Sequence, residues 1–337
     1  MTFHVMIIPT LGCQCNCKYC WGSESTKEMM DINVIDDIIT WLKDFRDDKV
    51  HFTFHGGEPL LAGYDFYAEA LEKLSKIDNL EGFSLQSNIW LLSDELIDLF
   101  LKYNVAVSTS IDGPEEINDY QRAEGYFKKT IGRYERAKEK GLNINFVLTV
   151  TQYSKDYSDE LYEFFKSHGM NLKIHAALPS LRGDNADPWA LDQEEHGKLL
   201  IDWLDKYLYD LDKFSVMDLD HIAKSTFRRR GTLCTFADCI GTTLAVGADG
   251  SIYPCYRFVG MDEYILGNVK ANPSFDKLKE SDAWAKLQEF REYVDENCAK
   301  CRYVKYCEGG CPYNAICLLY TSPSPRDTER YRMPSSA

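Results

Sequence analysis

The sequence predicts an α/β fold: a partial (β/α)6 TIM-type barrel followed by a small Cys-rich domain. Three observations carry this. Short apolar, β-rich runs alternate with amphipathic stretches from residue 3 to about residue 177, the order that builds parallel βαβ units. The 12 cysteines are unevenly placed, with four between Cys13 and Cys20 and the other eight from Cys234 onwards. The chemically suggestive residues of the first part all fall just after a strand, where barrels of this kind build their active sites.

Taken in order, the first strand covers Val5 to Ile8 and leads to Cys13, Cys17 and Cys20. A helix over Val34 to Phe45 connects to a strand at Val50 to His55, which runs into His55-Gly56-Gly57-Glu58. After a helix over Phe66 to Ile77, the strand Phe83 to Gln86 ends in Gln86-Ser87-Asn88. The helix Asp94 to Tyr103 precedes the strand Val105 to Ser110, which ends in Ser110-Ile111-Asp112-Gly113. Helices over Lys128 to Lys140 and Asp159 to Ser167 complete the set with strands Asn143 to Val150 and Leu172 to Ala177. The helices carry apolar residues at spacings of three and four, which puts them on one face. Pro179 to Pro188 reads as a loop and residues 192 to 212 as a bridging helix. The expected domains are therefore 1–214, a linker at 215–230, and a Cys-rich domain at 231–316 with short strands and turns such as Asp249-Gly250.

Composition bounds the function. A chain of 337 residues with 45% hydrophobic and 13% aromatic residues is a packed globular protein with room for a large and a small core. Its formal net charge is −15 and its only basic run is Arg228-Arg229-Arg230, so a nucleic-acid partner is disfavoured. No apolar run approaches the roughly 20 residues that cross a bilayer, and the start lacks a basic segment and cleavage site. A cytoplasmic protein with no membrane partner is expected. Thiols stay reduced there, so clustered cysteines point to metal rather than to disulfides.

Cys13-x3-Cys17-x2-Cys20 puts three thiolates in one loop, with Lys18 and Tyr19 between the last two. Three ligands on a four-iron cluster leave one iron open to hold a substrate; a closed zinc site would need a fourth ligand, for which Cys15 is the available residue. Gly56-Gly57-Glu58-Pro59 offers close backbone approach and a carboxylate suited to an ammonium group. With the aromatic Tyr19, these motifs resemble the radical S-adenosylmethionine superfamily over nearly the whole chain. The resemblance implies an oxygen-sensitive enzyme of anaerobic metabolism with a catalytic [4Fe-4S] cluster that chelates S-adenosylmethionine. Reductive cleavage then gives a 5′-deoxyadenosyl radical that takes a hydrogen atom from the substrate, with electrons from a flavodoxin- or ferredoxin-type reductant. It also implies cofactor contacts from Tyr19, Gly56, Gly57, Glu58, Gln86, Asn88, Ser110 and Arg122, the last a charged fork for the methionine carboxylate.

In the second part, Cys298-x2-Cys301-x5-Cys307-x3-Cys311 has the close, irregular spacing of a ferredoxin-like loop, though paired Cys-x2-Cys motifs also make zinc ribbons. With Cys234, Cys239 and Cys255 it resembles the SPASM extension of peptide-modifying radical enzymes. That resemblance implies one to two auxiliary [4Fe-4S] clusters: Cys234, Cys239, Cys255 and Cys311 on one, and Cys298, Cys301 and Cys307 on a second. The family's last cysteine is missing, because from Cys317 the chain turns Ser-, Pro- and Arg-rich. Residues 317–337 look like translated sequencing-adapter DNA, so the second auxiliary site is expected to lack a ligand, and Cys317 is not assigned to it.

The relatives implied are maturases of small Cys-rich peptides, which make thioether or related links, and anaerobic sulfatase-maturing enzymes, which oxidise Cys or Ser to formylglycine. In the latter an Asp after the second SPASM cysteine is the expected base; here Tyr256 follows Cys255, and a phenol is the poorer base at neutral pH. Peptide modification therefore ranks first, with sulfatase maturation or a small-molecule dehydrogenase of the same superfamily as alternatives. A non-enzymatic electron carrier would leave the Gly-Gly-Glu turn, Ser110 and Arg122 without purpose. With Cys13 so close to Met1, substrate recognition is expected at the barrel mouth, the Cys-rich region or a separate protein. His51, His55 and the Tyr207–Tyr209 cluster read as packing residues, and Cys15 as an unligated thiol.

Overall fold

The computed structural model describes residues 2–20, 22, 28–45, 48–181 and 187–321. Nine strands form one sheet: β1 (Thr2–Ile7), β2 (Lys49–Phe54), β3 (Leu80–Gln86), β4 (Val105–Ser110), β5 (Ile144–Val150), β6 (Leu172–Ala176), β7 (Thr243–Val246), β8 (Ser251–Tyr253) and β9 (Gly267–Asn268). Their spatial order is β6-β5-β4-β3-β2-β1-β7-β8-β9. The first six strands are parallel throughout. Strand β7 then continues the sheet parallel to β1, before β8 and β9 turn back antiparallel.

Helices α1 (Asn33–Trp41), α2 (Gly63–Leu74), α3 (Asp94–Lys102), α4 (Glu115–Gln121), α5 (Tyr126–Glu139) and α6 (Ser158–His168) connect the parallel strands. Each of the longer ones buries one apolar stripe, as α3 does with Leu96, Ile97, Leu99 and Phe100. Local signals set the ends. Ser93 caps α3 by accepting from Leu96 N, and Gly169 closes α6 in the left-handed conformation. After β6 come α7 (Gln193–Tyr207), α8 (Met217–Arg228), α9 (Phe275–Lys279), α10 (Asp282–Cys298), α11 (Val304–Cys307) and α12 (Pro312–Thr321).

The partial barrel and the expected strands and helices are present. The 215–230 segment, expected as a linker, instead forms α8, with Val216 bridging Leu172 beside β6. Asp218 explains the attachment: its buried carboxylate accepts from Ile174 N at 2.6 Å. In the Tyr207–Tyr209 cluster only Tyr207 packs, donating to Asp220 at 2.7 Å, whereas Tyr209 is 87% exposed. Of the expected foreign tail, residues 322–337 lie outside the described residues. Among the described residues no helix is long and apolar enough to cross a membrane.

Candidate active site at the strand ends

A cleft of about 1220 Å³ opens at the C-terminal ends of the strands. It is lined by Cys13, Cys15, Cys17, Tyr19 and Cys20 after β1, by His55 to Glu58 after β2, and by Gln86 to Asn88 after β3. Ser110 and Arg122 complete the barrel side, while Tyr256 and Arg257 enter from the Cys-rich region. The site residues expected between Cys13 and Arg122 therefore converge on one cavity.

The two glycines serve the chain itself. A Cβ on Gly56 would stand 2.3 Å from Thr10 O, and one on Gly57 would stand 2.3 Å from both Leu11 O and Gly12 O. Backbone bonds use this closeness: Gly57 N donates to Thr10 O (3.0 Å) and Glu58 N to Gly12 O (2.8 Å). The turn after β2 thus clamps the base of the cysteine loop. Glu58 is wholly buried, and its carboxylate accepts from Leu60 N (2.9 Å), Ser87 Oγ (2.7 Å) and Asn88 N (2.8 Å). Leu60 N belongs to its own turn and the other two donors to the end of β3, so three of about four acceptor positions are used and one on Oε2 is left. Burial still pushes the carboxyl up to about 7, against those hydrogen bonds.

Arg122 sits at the C-terminal end of α4, which the sequence reading missed. Its fork is aimed at Asp112: Nη2 donates to Oδ1 at 2.8 Å, and Nε stands 2.7 Å from Oδ2. Both side chains are buried. Tyr19 OH donates to the same carboxylate at 2.7 Å and Thr149 N at 2.9 Å. Arg122 Nη1 remains toward Cys17 Sγ (3.9 Å) and Tyr126 OH (3.4 Å). Asp112 is thus a site residue that the sequence reading did not single out, although it stands two residues past Ser110 at a strand end. Gln86 Nε2 donates to Ser110 Oγ at 3.1 Å. Asn88 Nδ2 donates to Cys15 Sγ at 3.4 Å and points toward Cys13 Sγ at 4.0 Å.

His55, read as a packing residue, lines the cleft instead. Its ring stacks on Tyr256 with centroids 4.0 Å apart, and its Nδ1 accepts from Gly56 N at 2.7 Å. Burial lowers its pKa to about 4 and raises that of Tyr256 above the ordinary phenol. His175, at the end of β6, also lines the cleft and is likewise held neutral by burial; nothing in its local sequence signalled this.

A second cavity of about 660 Å³ adjoins the first and is lined by Cys234, Cys239, Cys255 and Cys311. It shares His175, Tyr256 and Arg257 with the cleft. A hydrogen bond with Cys239 holds the Cys234 thiol down at about 6. Cys298, Cys301 and Cys307 form a separate group, in which burial and the two neighbouring thiols push Cys298 up. Among the described residues no three His, Cys, Asp or Glu side chains converge on the position of a single ion. The thiols ring cavities instead, with N–H donors of Arg122 and Asn88 facing sulfur. That donor set fits iron–sulfur clusters, whose thiolates surround a body of several metals and gain from N–H groups aimed at sulfur.

Fold and site together define an α/β barrel enzyme with one group of cysteines at its mouth and two more in the Cys-rich region, a donor set suited to iron–sulfur clusters. The radical SAM superfamily model matches residues 7–165, and the SPASM iron–sulfur cluster-binding domain matches residues 234–302. An uncharacterised protein of Methanothermobacter thermautotrophicus is 46% identical over 233 residues, covering 68% of this chain and 89% of its own. A cysteine-type anaerobic sulfatase-maturating enzyme of Clostridium perfringens is 25% identical over 319 residues, covering 89% of this chain and 86% of its own. The structure of native anSMEcpe with bound AdoMet and Cp18Cys peptide superposes with a TM-score of 0.80 at 25% identity, over 92% of this chain and 89% of that one. The chain belongs to the radical SAM superfamily and carries a SPASM domain. Its cofactors are a [4Fe-4S] cluster, S-adenosylmethionine and auxiliary iron–sulfur clusters.

Proposed function

We propose that this chain is a peptide-modifying oxidoreductase that takes a hydrogen atom from a Cys-rich peptide and forms a thioether or related link. The observation that supports this reading is the shared wall of His175, Tyr256 and Arg257, through which the cleft adjoins the four-cysteine cavity. Such a neighbour suits a net oxidation, in which the substrate must give up an electron after losing hydrogen. Bound together, the cluster and S-adenosylmethionine supply the 5′-deoxyadenosyl radical.

Cys13, Cys17 and Cys20 hold the catalytic cluster in this reading. Cys234, Cys239, Cys255 and Cys311 hold one auxiliary cluster, and Cys298, Cys301 and Cys307 contribute to a second. Gln86, Asn88 and Ser110 orient the methionine end, and Gly56 and Gly57 fix the loop that receives it. Arg122, neutralised by Asp112, presents Nη1 toward Cys17 and the cleft. Tyr19 lines the cleft with its ring and braces that pair through its hydroxyl. Sulfatase maturation is the second reading, favoured by the sulfatase-maturating relative. Tyr256 weighs against it: a buried phenol stacked on His55 is a poor proton acceptor where a carboxylate would serve.

The test is anaerobic turnover with S-adenosylmethionine and dithionite, offering a sulfatase-type Cys peptide and any short Cys-rich peptide encoded beside the gene. Loss of two hydrogens with sulfur retained in the Cys-rich peptide is the expected result. Efficient conversion of the sulfatase peptide to its aldehyde would reverse the ranking. Changing Cys13, Cys17 and Cys20 together to Ala should abolish 5′-deoxyadenosine formation, and undiminished product would refute the cluster assignment.

A further inference from the structure

The four-cysteine cavity has an uneven charge lining. Beside the thiols of Cys234, Cys239, Cys255 and Cys311 stand Lys173, from β6, and Arg257, two residues after Cys255; no carboxylate lines the cavity. Among the described residues neither cation forms an ion pair with Asp or Glu. Arg257 Nη1 donates to the neutral amide oxygen of Asn314 at 2.6 Å, and its guanidinium stands 5.5 Å from the Tyr313 ring and 6.0 Å from that of Tyr256. These are polar and aromatic contacts without a counter-charge. Asp218 lines a neighbouring cavity with Arg257 and feels the charge of Lys173, but its carboxylate is tied to Ile174 N and stands outside the four-cysteine cavity.

A cation drawn out of water without an anion costs several kcal/mol, so an anion belongs beside this pair. Four cysteine thiolates around an iron–sulfur cluster supply net negative charge, and each added electron increases it. Cations in the wall therefore favour the reduced form over the oxidised one, and they do so strongly where water is scarce.

We propose that Lys173 and Arg257 are the counter-cations of the auxiliary cluster and raise its reduction potential, so that it accepts the electron given up in the adjoining cleft. This rests on the peptide-oxidising reading above. For a sulfur–carbon link the electrons balance as follows. The carbon loses a hydrogen atom to the 5′-deoxyadenosyl radical and the thiol loses a proton to solvent. The new bond keeps one electron pair, and the one surplus electron goes to the auxiliary cluster. Arg257 lines both cavities, and the pair lowers the cost of that transfer without touching the reacting atoms. Both are positioning residues.

The test is an EPR-monitored redox titration of the full chain with Cys13, Cys17 and Cys20 changed to Ala, which removes the catalytic signal. At the potential where this parent is half reduced, Arg257→Gln and Lys173→Met should each lower the reduced-to-oxidised ratio about tenfold, equivalent to about 59 mV for one electron. Arg257→Lys, which keeps the charge, should stay within about threefold of the parent. Signal from the Cys298, Cys301 and Cys307 site should not move and serves as internal reference. Should Arg257→Gln fail to retain iron, Lys173→Met decides alone. Ratios within about twofold of the parent in the variants that hold iron, or equal movement of both signals, would overturn the proposal. No peptide enters the measurement, so a shifted potential with no peptide turnover would sink the substrate reading and leave the cation assignment standing.

Discussion

At Gly57 a single methyl group would meet two carbonyl oxygens of the cysteine loop, both 2.3 Å away. Neither oxygen belongs to a flexible side chain, so the loop backbone must move. Gly57→Ala should therefore cost about 3 kcal/mol and lower the iron retained by Cys13, Cys17 and Cys20, measured by chemical denaturation and iron analysis. Gly132 is the control: it lies inside α5 with open space around it, and Gly132→Ala should stabilise by about 0.5–1 kcal/mol. Equal effects at the two positions would refute the clamp. Asp112 makes a second residue-scale test. It holds Arg122, Tyr19 OH and Thr149 N at once, so Asp112→Ala strands a buried guanidinium and should destabilise by about 3–5 kcal/mol. A loss below about 1 kcal/mol would mean that Arg122 finds another anion, as expected of a surface pair.

Among the elements, the turn after β2 and the turn after Cys255 meet through the His55–Tyr256 stack. The sequence announced the first turn by its glycines, but not the stack, because residues 201 positions apart share no local pattern. Helices α1, α2, α3, α5 and α6 were legible from their apolar spacing. Helix α4 was not, since seven residues are too few to show a period, and with it went the reason that Arg122 faces Asp112. The stack has a consequence for pH. An ordinary imidazole titrates near 6.5, whereas burial holds His55 at about 4. Between those values the unfolded chain binds a proton that the folded chain refuses. Stability from neutral His55 is thus complete above about 6.5 and lost as pH falls toward about 4. Glu58 runs the other way: raised to about 7, its folded carboxyl binds a proton that the unfolded chain releases above its ordinary value. The wild-type profile mixes the two, so the informative quantity is the difference from His55→Gln. Urea unfolding should show the wild-type advantage shrinking by about 2 kcal/mol between pH 7 and pH 4, after allowance for the ring's partial exposure to the cleft. A difference that stays constant with pH would show that His55 titrates normally in the fold.

Over the whole molecule, a boundary in cysteine usage does not coincide with a boundary in the core. The cysteine gap and the change in composition pointed to two regions, and two family models match them separately. Yet β7 pairs with β1 over His4–Ile7 and Thr243–Val246. Leu244, Val246, Ile252, Leu266, Val269 and Leu278 belong to the same buried cluster as Val5, Ile7, Val50 and Phe52. Sequence reading could not see this, because the pairing joins strands far apart in the chain and β7 is only four residues long. Trp41 adds a tie: its indole N–H donates to Pro273 O at 3.0 Å. A fragment ending at residue 230 would lose β7, β8 and β9, uncover the edge of β1 and expose the apolar face that those strands complete. Unpaired strand edges next to apolar surface drive association between chains. The fragment should accordingly aggregate or lose its cooperative transition, while the full chain should unfold its sheet in one step by circular dichroism and by tryptophan fluorescence together. A monomeric 1–230 fragment with a midpoint close to that of the full chain would show that the barrel half carries a complete core of its own, and would restore the linker reading for residues 215–230.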